Sequence, residues 1–171
     1  MKNIILILII VFNFSCISAQ EITVKKGKKI NKVNKGTYYK TDETLLNKYL
    51  GIWAIDLKGK TFKFEILKKK TEVQGIFIDR IIAKHYFNKN SKVYENKEIF
   101  KSSAKEYGLD ILEKNILFFR FWDYDYKKYG NLKFEILENR KASFKLEEAY
   151  NPWSKKKGFS IPTEMILMKV K

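Results

Sequence analysis

From residue 44 onward, apolar and polar side chains alternate along the chain in short runs. In residues 52–57 and again in residues 62–66, every second residue is large and apolar, and Lys58 and Gly59 lie between the two runs. A period of two is that of a β-strand with one buried face, and a short break containing glycine is typical of a hairpin turn. The two runs therefore predict a β-hairpin.

The same alternation continues to the end of the chain. Residues 73–85 predict one strand or two, and Gly75 allows a bulge within them, because a residue without a side chain tolerates the local kink. Ahead of the hairpin, residues 41–50 predict a short helical turn capped by Thr41 or Asp42. The remaining runs predict strands over 73–85, 92–100, 109–112, 116–122, 132–136, 144–146 and 165–170, with turns at 88–90, 113–115 and 138–141.

These elements define the predicted fold class. It is all-β: an up-and-down antiparallel meander of about eight strands, preceded by the short N-terminal helical turn. Exposed strand edges invite pairing with other chains, and closure of the sheet into a barrel removes them. We therefore predict that residues 44–171 form one β-barrel domain.

The first nineteen residues differ in kind from the rest. Lys2 gives a positive start, residues 4–12 are all apolar, and small residues follow in the segment that ends at Ala19. This layout is typical of a bacterial secretory signal. It is too short for a membrane span, which needs roughly 20 apolar residues. Residues 1–19 are thus predicted to be a signal peptide cleaved after Ala19, which leaves an exported chain without a transmembrane span, in the periplasm or secreted.

Cys16 supports an alternative destination. A cysteine just after the apolar run resembles a lipoprotein signal, in which this residue is lipidated and anchors the protein to the envelope. The lipoprotein pattern has an aliphatic residue three positions earlier, where this chain has Asn13. Simple cleavage is therefore the preferred prediction, and it would remove the only cysteine together with any prospect of a disulfide.

The charge of the chain is strongly positive, at +16. Such a charge favours contact with anionic surfaces, including those of a cell envelope, or it reflects AT-rich codons, which lysine shares with the abundant Ile, Asn, Phe and Tyr. Only Arg80, Arg120 and Arg140 are arginines among the 35 basic residues. Specific reading of nucleic acids favours the planar, bidentate guanidinium, so specific nucleic-acid binding is not predicted.

A lysine-rich segment, residues 20–43, precedes the alternating part of the chain. Residues 21–43 contain seven lysines and three acidic residues without strong periodicity. Mutual repulsion extends such a segment. Residues 20–43 are therefore predicted to be a flexible basic arm.

Two stretches carry a family resemblance. The sequence Gly51-Ile52-Trp53, on a first strand just after a helical turn, resembles the lipocalins and lipocalin-like barrels, in which this tryptophan plugs the closed end of the barrel. "NKYLGIWAID" and "GFSIPTEMILMKV" resemble an uncharacterised family of small exported proteins of unknown function from Flavobacterium-type Bacteroidetes. The first resemblance also implies an arginine stacked on the tryptophan, for which Arg140 is the nearest by position.

Candidate chemistry is sparse. His85 is the only histidine, and it is predicted to lie on the surface at the end of a strand. Asp123 and Asp125 lie two residues apart and would share one face of a strand, but the surrounding sequence favours a turn with solvated carboxylates. No catalytic residue, metal site or cofactor is predicted, and the protein is not predicted to be an enzyme.

The aromatic side chains allow two interpretations of the barrel interior. They fill it as a solid core, or they line a space for one small apolar ligand. The ligand-lining candidates are Trp53, Phe64, Phe119, Phe134 and Phe144. The predicted function is non-enzymatic binding of a small apolar ligand or an envelope component. The alternative is a protein–protein interaction module, such as an inhibitor or assembly factor.

Overall fold

A computed structural model describes residues 20–24, 34–87, 94–96, 115–138, 140–149 and 156–170. The described residues form ten strands and one short helix. The helix is α1 (Glu43–Leu46). The strands are β1 (Glu21–Val24), β2 (Tyr38–Thr41), β3 (Gly51–Leu57), β4 (Lys60–Val73), β5 (Ile76–Phe87), β6 (Tyr94–Asn96), β7 (Ile116–Asp123), β8 (Lys128–Ile136), β9 (Lys141–Glu148) and β10 (Glu164–Lys169).

All strands belong to one curled sheet that forms a half-barrel. Its order is β1-β2-β5-β4-β3-β10-β9-β8-β7, and β6 pairs with β5. β3 to β6 form one antiparallel meander and β7 to β10 a second, and the last strand returns to pair with β3. The predicted all-β meander is therefore confirmed. Among the described strands no ladder joins β6 to β7, so of the predicted barrel the described residues show a half-barrel.

The helical turn and the first hairpin are confirmed in detail. The carboxylate of Asp42 caps α1 by accepting a hydrogen bond from the backbone N–H of Thr44 at 2.9 Å. β3 and β4 pair around Lys58 and Gly59, which both have positive φ. Two successive residues with positive φ match the right-handed twist of the flanking strands.

Gly75 has a different role from the predicted one. Gln74 and Gly75 both have positive φ, of 52° and 82°, and they form the two-residue turn between β4 and β5. The prediction of a bulge within one strand is wrong, because the turn ends one strand and starts the next. The predicted strand over 92–100 contains β6, whereas the predicted turn at 88–90 and strand at 109–112 lie outside the described residues.

The basic arm is partly built into the sheet. β1 pairs in parallel with β2, and β2 pairs in parallel with β5. The hydroxyl of Tyr38 donates to Asp79 at 2.6 Å, and the backbone N–H of Thr41 donates to the same carboxylate at 2.8 Å. The prediction of a flexible arm is wrong for these two segments, because β2 is bound to β5 and β1 is bound to β2. Residues 25–33 lie outside the described residues.

Candidate binding surface

The five predicted ligand-lining side chains lie together inside the half-barrel. All five are buried, and their rings contact one another: ring centroids are 5.2 Å apart for Trp53 and Phe134, and 5.5 Å apart for Phe64 with each of Phe119, Phe134 and Phe144. Edge-on and tilted rings at these distances are typical of a packed aromatic core. These contacts favour the solid-core interpretation, and the ligand-lining role of the five residues stays a prediction.

A lysine covers the tryptophan end of this core. The amino group of Lys169 lies 5.3 Å from the Trp53 ring and donates to the backbone carbonyls of Asn47 and Lys48, at 3.0 and 3.1 Å. Arg140, the nearest arginine by position, instead donates to the carbonyl of Lys169 at 3.1 Å. The cation over the tryptophan therefore comes from the last strand, and the assignment to Arg140 is wrong.

His85 is buried, not exposed as predicted. It lies on β5, opposite Phe64 of β4, and is 3% exposed. Its ring stacks on Phe121, with 4.5 Å between the ring centroids. β5 continues past His85 to Phe87, so this residue sits mid-sheet on the inward face. Burial lowers the pKa of His85 to about 4, despite the opposing effect of the nearby Asp123 charge.

Asp123 is also buried, contrary to the prediction of solvated carboxylates. Its side chain is 2% exposed. It accepts hydrogen bonds from the backbone N–H groups of Asp125 and Tyr126, both at 3.0 Å. It also accepts from the N–H and the hydroxyl of Ser160, at 2.6 and 2.8 Å. Asp125 is exposed in the turn, so the two carboxylates do not form a pair.

Lys128 is buried and pairs with Asp123 across the β7–β8 ladder. The amino group of Lys128 donates to Glu148 at 2.8 Å and to the backbone carbonyl of Lys156 at 2.9 Å. Glu148 also accepts from the N–H of Gly158 at 2.6 Å, and these bonds lower its pKa. Asp123, Lys128 and Glu148 together hold residues 156–161, the strap, against the β7–β8 hairpin.

The strap also carries an apolar anchor. The ring of Phe159 lies against Gly130, where an added Cβ would come within 2.5 Å of it. The same ring contacts Phe121 edge-on at 6.1 Å between centroids. Polar and apolar contacts therefore both fix the strap, and through Asp123 they also fix the turn that joins β7 to β8.

The outward face of this hairpin carries exposed aromatic side chains. Phe118 is 49% exposed, Tyr124 46% and Tyr129 40%. Trp122 and Tyr129 are cross-strand neighbours with ring centroids 4.4 Å apart, and the guanidinium of Arg120 lies 4.2 Å from the Tyr129 ring. We name these five residues, Phe118, Arg120, Trp122, Tyr124 and Tyr129, the aromatic surface.

A second cation–ring contact joins the strap to the β7–β8 turn. The amino group of Lys156, in the strap, lies 4.6 Å from the Tyr126 ring and donates to the carbonyl of Asp125 at 3.2 Å. Tyr, Trp and Arg are the residues enriched at the energetic centres of protein–protein interfaces. The aromatic surface is therefore suited to recognition.

The sequence contained a signal for this surface. Trp122, Tyr124 and Tyr126 alternate with Asp123 and Asp125, but the carboxylates drew the chemical interpretation. The alternation predicted that the aromatic rings lie on the opposite face. It did not reveal that Tyr129, on the partner strand, lies beside Trp122. Among the residues the structure describes, no group of three or more His, Cys, Asp or Glu side chains could hold a metal ion.

The model of a family of unknown function, DUF6705, matches residues 1–170. The chain belongs to this family. Comparison with curated proteins and with solved structures gave no match. Membership confirms the resemblance to an uncharacterised family, while the lipocalin-like motif and the taxonomic origin stay predictions. No helix within the described ranges is long and apolar enough to cross a membrane.

Proposed function

We propose that this member of the DUF6705 family is an exported, non-enzymatic protein that binds a component of the cell envelope on its aromatic surface. The observation that carries the proposal is the contrast between the two faces of one sheet. Inward rings are buried against one another, whereas Phe118, Tyr124 and Tyr129 keep 40–49% of their surface exposed. Scattered apolar residues are normal on a protein surface, but a contiguous group marks an interaction site.

The interior is the less favourable place for a ligand. Its aromatic rings already contact one another at 5.2–5.5 Å between centroids. Interiors of this kind are packed as densely as organic crystals, so an apolar ligand would have to displace a ring and forfeit its contacts. Binding on the outward face needs no such rearrangement.

The buried polar groups support a non-enzymatic role. Asp123 accepts bonds from the β7–β8 turn and from the strap, and Lys128 is held by Glu148 and a backbone carbonyl. These contacts account for both charges as structural ones. Export is proposed from residues 1–19 alone, with the periplasm or secretion as the destination and lipidation at Cys16 as the alternative.

A second candidate function is that of a protein–protein interaction module. It is favoured by another exposed row, formed by Ile166 and Met168 on the outward face of β10 and by Val170 just after this strand. Methionine and large apolar side chains are common in the buried centre of protein interfaces. The two candidate surfaces lie on different strands and can be altered separately.

Retention on isolated envelope fractions of the native host tests the proposal. We expect the wild-type mature protein to be retained and the Trp122→Ala/Tyr129→Ala double variant to be released. Ile166→Ser/Met168→Ser is the matched control, and it should be retained as the wild type is. Release of the control with retention of the aromatic variant would favour the protein-interaction module. Native mass spectrometry of the protein purified from its host provides a further check. An apolar ligand found inside the half-barrel would contradict the packed interior.

A further inference from the structure

We propose that the strap, residues 156–161, is a lid that opens as one unit while the sheet beneath it stays folded. Opening lifts the ring of Phe159 out of an apolar recess above Gly130 and exposes the inward face of the sheet at this end. The way the strap is bound, the charges that it covers and the shape of the recess all favour such a motion. It requires no ligand on the aromatic surface.

The strap contains no helix or strand, and it is bound to the sheet through side chains. Three of these side chains lie at one end of the sheet on its inward face, and we name them the latch: Asp123 of β7, Lys128 of β8 and Glu148 of β9. They bind the backbone N–H groups of Ser160 and Gly158 and the backbone carbonyl of Lys156, at 2.6–2.9 Å. The ladders of the described sheet do not include the strap. It can therefore open without breaking strand pairing, as locally unfolding segments do.

The latch consists of charges that are buried beneath the strap. Asp123 is 2% exposed and Lys128 is 3% exposed. Moving a charge out of water has a large free-energy cost, which hydrogen bonds offset only in part. When the strap opens, both charges are hydrated again, and Lys128 keeps its ion pair with Glu148 at 2.8 Å. The regained hydration offsets part of the lost hydrogen bonding, whereas an apolar latch would regain nothing on exposure. The charged latch therefore favours a strap that opens.

The recess beneath Phe159 exists because Gly130 has no side chain. A Cβ at Gly130 would lie 2.5 Å from the Phe159 ring and 2.7 Å from Leu146. The Phe159 ring is only partly buried, contacts Phe121 edge-on and lies 4.7 Å from the amino group of Lys128. Phe121 belongs to a paired strand, but Phe159 can leave the core without breaking a ladder. Opening of the strap therefore makes the recess a route from solvent to the interior rings.

Hydrogen exchange of backbone amides in the mature protein, followed by NMR at increasing urea concentrations, tests whether the strap opens separately from the sheet. The amide of Ser160 reports on the strap, and that of Leu132, buried in the middle of β8, reports on the sheet. After correction for intrinsic rates, Ser160 should exchange faster than Leu132 and with little dependence on urea, because opening of the strap exposes little surface. Exchange at Leu132 should rise steeply with urea. Equal rates and equal urea dependence at the two amides would overturn the inference.

Glu148→Ala tests whether the latch holds the strap as one body. It removes the acceptor of the Gly158 N–H, so exchange at Gly158 should rise about 10-fold, the loss expected for one charge-assisted hydrogen bond. The N–H of Ser160 is bonded to Asp123 on another strand. A strap that opens as one unit therefore shows the same rise at Ser160. Glu147→Ala is the matched control, because Glu147 is the exposed neighbour on β9, and it should leave both rates unchanged.

Three results with these variants would overturn the inference. A rise at Gly158 alone would mean that the strap does not open as one unit. Unchanged exchange at both amides, or an equal rise in Glu147→Ala, would mean that the latch does not hold the strap. If Glu148→Ala does not fold, Glu148→Gln keeps the shape of the side chain without its charge. It should raise both rates by a smaller common factor, and its results are interpreted in the same way.

Discussion

The two faces of the β7–β8 hairpin are built from similar residues but have opposite surroundings. Along β7, residues alternate between an inward set, Leu117, Phe119 and Phe121, and an outward set, Phe118, Arg120 and Trp122. The inward side chains are buried among other apolar groups of the sheet. The outward rings contact a cation and one another, and a large part of their area stays exposed. The inward face should therefore determine stability and the outward face binding.

The largest loss of stability is expected for Trp53→Ala, on the inward face of the sheet. Trp53 is 1% exposed, its ring packs on Phe134 at 5.2 Å, and its indole N–H donates to the carbonyl of Tyr49 at 2.8 Å. Removal of such a side chain leaves a cavity and costs about 3–5 kcal/mol of unfolding free energy. Chemical denaturation followed by circular dichroism measures this loss.

A different outcome for Trp53→Ala would break the comparison. If the variant kept near-native stability but lost a co-purifying ligand, Trp53 would line a pocket, and the inward face would have a binding role. If it lost neither stability nor a ligand, the Gly51-Ile52-Trp53 resemblance to lipocalins should be dropped.

The next effect concerns Asp123, which joins the two faces at the turn. Asp123→Ala would leave the N–H and hydroxyl of Ser160 and the two turn N–H groups without their acceptor. We expect a loss of about 3 kcal/mol, because buried donors without partners are costly. Asp125→Ala is the matched control and should stay within about 0.5 kcal/mol, since Asp125 is exposed. Similar values for the two variants would show that Asp123 does not hold the strap.

His85 predicts a pH dependence of stability. Its pKa is lowered to about 4 in the folded protein from 6.5, so the unfolded chain binds a proton more readily. The stability that neutral His85 provides is therefore complete above pH 6.5 and is lost as the pH falls from 6.5 through about 4. The full loss is at most about 3 kcal/mol.

Urea denaturation at pH 7, 6, 5 and 4.5 measures this slope, and His85→Phe should flatten it. Glu148 has a lowered pKa, so its own contribution is lost only below its usual value of 4.5 and does not obscure the window above it. An unchanged slope in His85→Phe would mean that another group titrates there.

Much of the fold could be predicted from the sequence, because it follows from local patterns. Phe62, Phe64 and Ile66 alternate as a strand must, and Lys58-Gly59 forms the turn expected of it. Contacts between distant residues could not be predicted in this way. The docking of Tyr38 on Asp79 and the position of Lys169 over Trp53 depend on strands far apart in sequence.

The candidate site shows the same division. The sequence revealed an alternation of acidic and aromatic residues in 122–126, but it gave no information on which set would be buried. In the structure the strap buries Asp123, because Ser160, 37 positions away in the sequence, donates hydrogen bonds to it. Once Asp123 is buried, Trp122 and Tyr124 face outward and adjoin Tyr129 from the next strand, across the register of β8.

The smallest effect on stability is expected on the outward face, for Tyr129→Ala. Tyr129 is 40% exposed and contributes its ring to Trp122 and Arg120, contacts that are worth little in water. The unfolding free energy of Tyr129→Ala should stay within about 1 kcal/mol of that of the wild type, while the retention of this variant on envelope fractions falls. Phe119 lies on the inward face of the neighbouring strand. Phe119→Ala should therefore lose about 3–5 kcal/mol of unfolding free energy, a larger loss than that of Tyr129→Ala. If Tyr129→Ala instead unfolded as readily as Phe119→Ala, the outward rings would be part of the core, and a binding role for the aromatic surface would lose its basis.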